Sequence, residues 1–366
     1  MRQMKETENL KPFPPPFHSR GRLKTRYEEE FNRFQTALGR CFMVISIIGL
    51  FGLVPLFLND YVLHLFNVIC IYAIVAVGLT IMTGYTWQLS LAHGAFFGIG
   101  AYTAALLAAR AGLPFFLVIP AAGVAATLFG ALIAIPSLRL KPIFLPMATL
   151  AGQFIVEYIL VHRVSLTGGS KGFVVPKPVL VGLGLETKLS LFYVTAICLL
   201  IIIWLSDNLL RSKIGRAFSA LRQNERAAAA MGIDVYPHKL FAFAVSSFLT
   251  GLAGALFAYA VETIVPAFFN LTLSIEFLAV MIIGGLGSIS GAIIGSVAIV
   301  FLKEMAGFAG ALFMNSSIHT GADLAMISLY EFVLGLIMVL FIIFKPEGLA
   351  SLYRKIKQGF DRWPFS

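Results

Sequence analysis

The stretch VLHLFNVICIYAIVAVGLTIMT, residues 62–83, contains no Asp, Glu, Lys or Arg. As a helix it is long enough to cross the ~30 Å hydrocarbon core of a bilayer. Working outward, similar apolar blocks recur at 41–58, 89–109, 115–135, 143–161, 189–210, 240–261 and 324–344. A longer one, 268–302, is interrupted by Gly284-Gly285-Leu286-Gly287-Ser288. Blocks of about 18 to 25 residues indicate spanning helices, whereas a membrane β-barrel would show alternating segments of about ten. Bulk composition agrees: 58% of the 366 residues are hydrophobic and only 13% charged, with a mean hydropathy of +0.87. That is about half the charge of a soluble domain, too little to coat a globule of this size. The predicted class is an all-α, polytopic transmembrane helix bundle.

Charge placement sets the expected orientation. The net charge of +10 comes from basic residues flanking apolar blocks, the pattern of membrane topology rather than nucleic-acid binding. Residues 1–40 are polar, with Pro14-Pro15-Pro16 and no early apolar core, and are expected to be a cytoplasmic tail rather than a signal peptide. Residues 22–38 can form a surface helix with Phe31, Phe34 and Leu38 on one face. Alternation through a transmembrane domain at 41–345 then places Arg139, Lys141 and the basic loop 211–239 inside, and the loop 163–188 outside despite its lysines. The basic tail 346–366 reaches the inside only if 268–302 crosses twice. Each half is then about 15 residues, short for a full span. The chain thus has about ten membrane segments, two of them short or re-entrant, hinged at Gly284, Gly285 and Gly287. Broken helices of this kind often sit beside transport sites. Cys41, Cys70 and Cys198 form no CxxC pair, so neither a metal site nor a disulfide framework is expected.

Enzyme signatures are absent. There is no phosphate-binding GxxxxGK[ST], no HExxH and no GxSxG; Gly168-Gly169-Ser170-Lys171 has related letters in the wrong order. Any ATP-driven step would need another chain. The basic loop is more informative: IGRAFSALRQNERAAAAMGI, residues 214–233. Propensity predicts one helix over 216–231, ended by a left-handed cap at Gly232. Small side chains such as Ala228 allow a partner's backbone to approach, and Arg216, Arg222 and Glu225 can make charge-assisted contacts across an interface. The plainer reading is an amphipathic connector. Polar groups within spans are costly and are the first candidates for a translocation path. They are Gln88, Ser90 and His93 in the third span, and Thr149, Gln153 and Glu157 at i, i+4 and i+8 of the fifth. Glu262, Glu276 and Glu331 lie in or near later spans. Gln153 and Glu331 are expected deepest. Interhelical hydrogen bonding is the structural alternative for each. The Gly/Ala-rich runs at 94–105 and 251–255 are read first as close-packing surfaces.

The basic loop resembles the EAA-type coupling loop of ABC importer permeases, and specifically the branched-chain amino-acid permeases of the LivM type. The larger family includes LivH-type, urea and ribose permeases. QLSLAHGAFFGIGAY at 88–102 is similar to that family's third span, and LTGGSKG at 166–172, with Thr167, Gly168 and Gly169, to its outer loop. FLTGLAGALFAY at 248–259, GGLGSISGAIIG at 284–295 and PEGL at 346–349 are similar to further blocks. The resemblance covers roughly residues 45–350. It departs at Arg139-Leu140-Lys141-Pro142, where the family has a glycine after the basic pair, and in the tail before Cys41. It implies a heterodimer with a second permease, two cytoplasmic ATPase subunits carrying ATP and Mg, and an extracytoplasmic solute-binding protein, in a bacterial or archaeal inner membrane with both termini cytoplasmic. Glu225 to Gly232 would seat on an ATPase, and no cofactor is expected on this chain. The rival readings are an ion-driven secondary transporter using the intramembrane glutamates, and a membrane-bound enzyme, for which clustered His or carboxylates are missing.

Overall fold

The computed structural model describes residues 59–139, 144–169, 172–176, 188–314, 322–345 and 348–351. The tail 1–40, the predicted first span 41–58 and most of the tail 346–366 lie outside the described residues. Helix α1 spans Asp60–Leu79 and continues through a π-helical turn, Thr80–Gly84. Helices α2 (His93–Ala111), α3 (Phe115–Ser137) and α4 (Leu145–His162) follow. A one-turn helix α5 (Val164–Thr167) leads to strand β1 (Phe173–Val174). Next come α6 (Lys188–Arg211), α7 (Lys213–Gln223), α8 (Glu225–Ala230) and α9 (Val235–Val261). Strand β2 (Thr263–Ile264) and a 3₁₀ turn (Pro266–Phe269) precede α10 (Leu271–Gly284), α11 (Ile289–Met314) and α12 (Ala322–Phe344). Seven helices among the described residues are long and apolar enough to cross a membrane, and Leu271–Gly284 and Glu331–Phe344 are shorter apolar helices.

Helix α9 is the central post, packed against α1, α2 and α3. Close approach is possible because small residues face one another. A Cβ at Gly254 would stand 2.0 Å from the Phe97 carbonyl oxygen, and one at Gly100 would stand 2.2 Å from that of Gly251. Apolar helices gain nothing from leaving lipid for one another, so such backbone contact supplies the van der Waals energy that holds them. The outer faces are apolar: Phe116, Leu128 and Leu132 of α3, Met147 and Tyr158 of α4, and Trp204 of α6 are exposed. An apolar girdle of this extent suits hydrocarbon, not water. The chain is a multi-pass membrane protein.

The two ends differ. At one, β1 pairs antiparallel with β2, Phe173 opposite Ile264 and Val174 opposite Thr263, joining the loop after α5 to the loop after α9. The other end carries α7, α8 and their arginines.

Two local features differ from the sequence expectation. The basic loop is not one helix. It breaks at Asn224, whose backbone is extended (φ −163°, ψ 111°) and whose side chain accepts from the N–H groups of Arg226 and Ala227. Alanine propensity favours continuation, but an Asn at this point satisfies two N–H groups of a new helix start and so wins. The interrupted stretch 268–302 is also unequal: α10 has 14 residues, whereas α11 has 26 and continues well past 302.

Gly254→Ala is expected to destabilise the bundle by about 2 kcal/mol. Gly335→Ala, where nothing lies within 4 Å of the added carbon, serves as the neutral control. Thermal unfolding of the detergent-purified chain checks both. Equal melting temperatures would show that the α2–α9 contact is not tight.

Candidate functional site

After the π turn and a last helical step at Tyr85 and Thr86, the chain leaves helical geometry for residues 87–92, although the polarity of this segment is low. Trp87 there has φ 53°, a left-handed conformation unusual for an aromatic residue. The segment is tied down locally: Thr83 Oγ1 donates to the Gln88 carbonyl (2.8 Å), Gln88 Nε2 to Thr86 Oγ1 (2.7 Å), and Thr86 Oγ1 to the Met82 carbonyl (2.5 Å). Gln88 Nε2 also donates to the Lys239 carbonyl at 3.2 Å, near the base of α9. Helix α2 then begins at His93, whose Nε2 lies 2.8 Å from Ser246 Oγ. Ser246 sits about 17 Å up α9 from Val235, at ~1.5 Å per residue. The α2 amino terminus is therefore inside the membrane.

The first N–H groups of a helix have no partner within it, and no water in hydrocarbon replaces one. Four side chains supply acceptors here. Leu91 N–H donates to Thr149 Oγ1 (3.0 Å), Ala92 N–H to Ser90 Oγ (3.3 Å), Gly94 N–H to Ser274 Oγ (2.8 Å), and Ala95 N–H to Gln153 Oε1 (2.6 Å). Ser274 Oγ in turn donates to Gln153 Oε1 (3.1 Å), and Gln153 Nε2 donates to the Phe269 carbonyl (2.9 Å). Gln153 thus joins α4, α2, the 3₁₀ turn and α10. Gln88, Ser90, His93, Thr149 and Gln153 are all buried, as is Ser274. The structure brings these five candidate path residues together as one bracket around the α2 start. Glu331 is not among them. It is exposed on α12, not deep, and accepts from Thr272 Oγ1 at 3.4 Å. Helix α12 lies on the outside of the hairpin formed by α10 and α11, so a residue central in the sequence block is peripheral in this chain.

A second polar group lies in the same hairpin. Glu276 of α10 is buried; it accepts from Tyr72 Oη at 3.0 Å and from Lys303 Nζ at 3.0 and 3.1 Å. Tyr72 stands about 18 Å along α1 from Asp60, so this ion pair also lies within the membrane. The sequence reading singled out Glu276 but not Lys303. The signal was available: an antiparallel turn that sets Gly284 against Gly291 brings 276 opposite 299. A lysine one turn further leans back toward its own helix amino terminus. Among the described residues no group of His, Cys, Asp and Glu is placed to hold a metal.

At the basic end, Glu225 pairs with the buried Lys239 of α9. Phe218 and Leu221 of α7 are fully or almost fully buried, and Phe218 packs near Phe241. Ala228 is buried while Ala227, Ala229, Ala230 and Gly232 are exposed, and Met231 is 83% exposed. Glu225 and Ala228 therefore hold the loop to its own chain, and Met231, which the sequence reading passed over, forms the outward tip. Gly232 has φ 85° with open space around it. Arg216 is exposed, its Nη1 3.5 Å from the Arg211 carbonyl. At the opposite end Thr167 Oγ1 donates to the Leu160 and Arg163 carbonyls (2.8 and 3.0 Å) and accepts from Gly169 N–H (3.2 Å). Gly168 and Gly169 have positive φ, so this segment is a tight, self-bonded turn.

Residues 61–342 match the family of branched-chain amino acid transport system permease components. The chain is 32% identical to the high-affinity branched-chain amino acid transport system permease protein LivM of Escherichia coli, over 79% of this chain and 70% of that one. It is 30% identical to the probable branched-chain amino acid transport permease protein LivH of Methanocaldococcus jannaschii, over 78% and 90%. It is 27% identical to the ribose import permease protein RbsC of Haemophilus influenzae, over 67% and 76%. No solved structure matches.

Gln153→Leu leaves the Ala95 N–H and the Phe269 carbonyl without partners, and is expected to cost about 2–4 kcal/mol of stability. Gln153→Glu keeps the acceptor and should cost less. Melting temperatures of the two variants in detergent check the order. A Leu variant as stable as the parent would make Gln153 a path residue without a structural duty.

Proposed function

This chain belongs to the family of branched-chain amino acid transport permeases, and from that premise we propose that it forms half of the membrane channel of an ATP-driven importer for leucine, isoleucine and valine or a close relative. The observation that carries the reading is the α7–α8 element. Helix α7, held to the base of α9 by Phe218 and Leu221, presents a second, six-residue helix that the Glu225–Lys239 pair ties to α9 at its start and that shows exposed alanines and, just past its end, Met231. Small side chains around one long apolar one make a shape that fits a groove on a partner, and the rigid base allows force applied there to reach the bundle.

In this reading the second permease subunit is a related chain, and two cytoplasmic ATPases bind and hydrolyse ATP with Mg. A soluble binding protein delivers the solute at the β1–β2 end. Both termini and the α7–α8 end face the cytoplasm, with lipid around the apolar girdle. ATP binding drives the change in access by favouring one arrangement of the bundle over the other. In the arrangement described here, Gln88, Ser90, His93, Thr149 and Gln153 hold the α2 start. Release of some of these bonds exposes their polar groups to a passing zwitterion. The family relationship favours this over an ion-driven carrier, which would need no ATPase-docking element.

Purification of the chain in mild detergent from its native membrane should recover two ATPase polypeptides and a second permease, and uptake of leucine into cells should stop on ATP depletion. Isolation of the chain alone, with uptake that survives ATP depletion, would overturn the reading. Met231→Asp changes an exposed side chain and should weaken ATPase recovery by tenfold or more, about 1.4 kcal/mol, without lowering the melting temperature. A reporter inserted at Ser317, between α11 and α12, should lie outside the cytoplasm; a cytoplasmic signal would reverse the orientation.

A further inference from the structure

The break between α10 and α11 lies at the basic end, against three other parts of the chain. A Cβ at Gly84, the last residue of the π turn, would stand 2.7 Å from Gly287 N and 2.8 Å from its Cα. One at Gly348 would stand 2.5 Å from Gly285 N and Cα. One at Gly287, where φ is +81°, would stand 2.6 Å from Arg222 Nη1 and 3.3 Å from the Gly84 carbonyl oxygen. The end of α1, the α10–α11 turn and the start of the last segment therefore meet backbone to backbone. The guanidinium of Arg222 occupies the space that any side chain at 287 would fill. Arg222 sits in the last turn of α7, is half-buried, and follows directly on Leu221, which is almost fully buried.

The sequence reading gave Arg222 to an interface with another subunit. The geometry points to a different role: we propose that Arg222 is a positioning residue that passes movement of α7–α8 to the α10–α11 turn, and through Gly287 and Gly84 to the π turn of α1. This rests on the importer reading above. Three features support it. The guanidinium is planar, permanently charged and rich in donors, so it can hold a bare peptide turn whose carbonyls are accessible because residue 287 has no side chain. Helix α7 is fixed to α9 through Phe218 and Leu221, so displacement at the Met231 tip moves Arg222 instead of being absorbed locally. A π turn is a place where a helix carries an extra residue per turn, and such turns are frequent at functional sites. Here it ends on the glycine that touches the turn. Movement delivered at Gly287 reaches α10, α11 and α1 together, the three helices that hold Glu276, Lys303 and Tyr72.

The test uses the complete importer in lipid vesicles: both permeases, the ATPases and the leucine-loaded binding protein. Leucine taken up per ATP hydrolysed is measured for the parent, Arg222→Ala, Arg222→Lys and Arg222→Gln, together with KM for the loaded binding protein. For Arg222→Ala the ratio is expected to fall at least tenfold through kcat, with KM unchanged. Lysine should restore part of it, because it returns charge without the planar fork. Arg222→Gln gives the same comparison if the alanine variant folds poorly. Gly287→Ala should lower the ratio in the same way and add little to Arg222→Ala in the double variant, since both remove one contact. An unchanged ratio in Arg222→Ala overturns the proposal. So does loss of the ATPases from that variant, which would return Arg222 to a subunit interface. If the parent complex itself captures no ATPase, the importer reading fails instead.

Discussion

A helix that starts inside a bilayer must find acceptors for its first N–H groups, and the arrangement of this protein follows from meeting that demand at His93. Water is not available at that depth, and each unmet group costs several kcal/mol. Thr149, Gln153 and Ser274 come from two other helices, so satisfying α2 fixes the positions of α4 and α10 as well. The non-helical segment 87–92 exists because α2 starts late, and its own polar groups are met by Thr83, Gln88 and the base of α9. One local deficit thus organises four helices. It also makes the bracket a natural point of change: bonds between side chains and helix ends rearrange at lower cost than the helices themselves.

The same logic links the two ends of the molecule. The segment 87–92 touches Lys239 through Gln88, and Lys239 pairs with Glu225 of the outward element. The distance from an exposed alanine at the tip to the buried start of α2 is therefore covered by two side-chain contacts and one short stretch of chain. The α10–α11 turn provides a parallel route through Gly287.

Much of the fold was legible in the sequence because hydrocarbon imposes a length on apolar blocks and a sign on their flanks. The broken stretch at Gly284 to Gly287 and the polar positions Gln88, Ser90, His93, Thr149 and Gln153 could be named for the same reason: departures from uniform apolarity are visible against so plain a background. What could not be read was partnership. Gln153 and Glu331 look alike in sequence, yet one meets a helix start and the other lies exposed beside Thr272, and only the order in which helices pack decides between them. The break at Asn224 was missed because summed propensity outweighed a single capping side chain. Lys303 was missed because it needs a partner 27 residues away across a turn.

The Glu276–Lys303 pair bears on how the protein behaves in an energised membrane. A membrane potential does work on any fixed charge that moves through it, about 2.3 kcal/mol per charge for each 100 mV. Helices α10 and α11 each carry one partner of a bonded pair with no net charge. Movement of the hairpin as a unit therefore carries no current on account of these two residues. The field neither drives nor resists that part of the motion, and a rise or collapse of the potential leaves its energetics untouched.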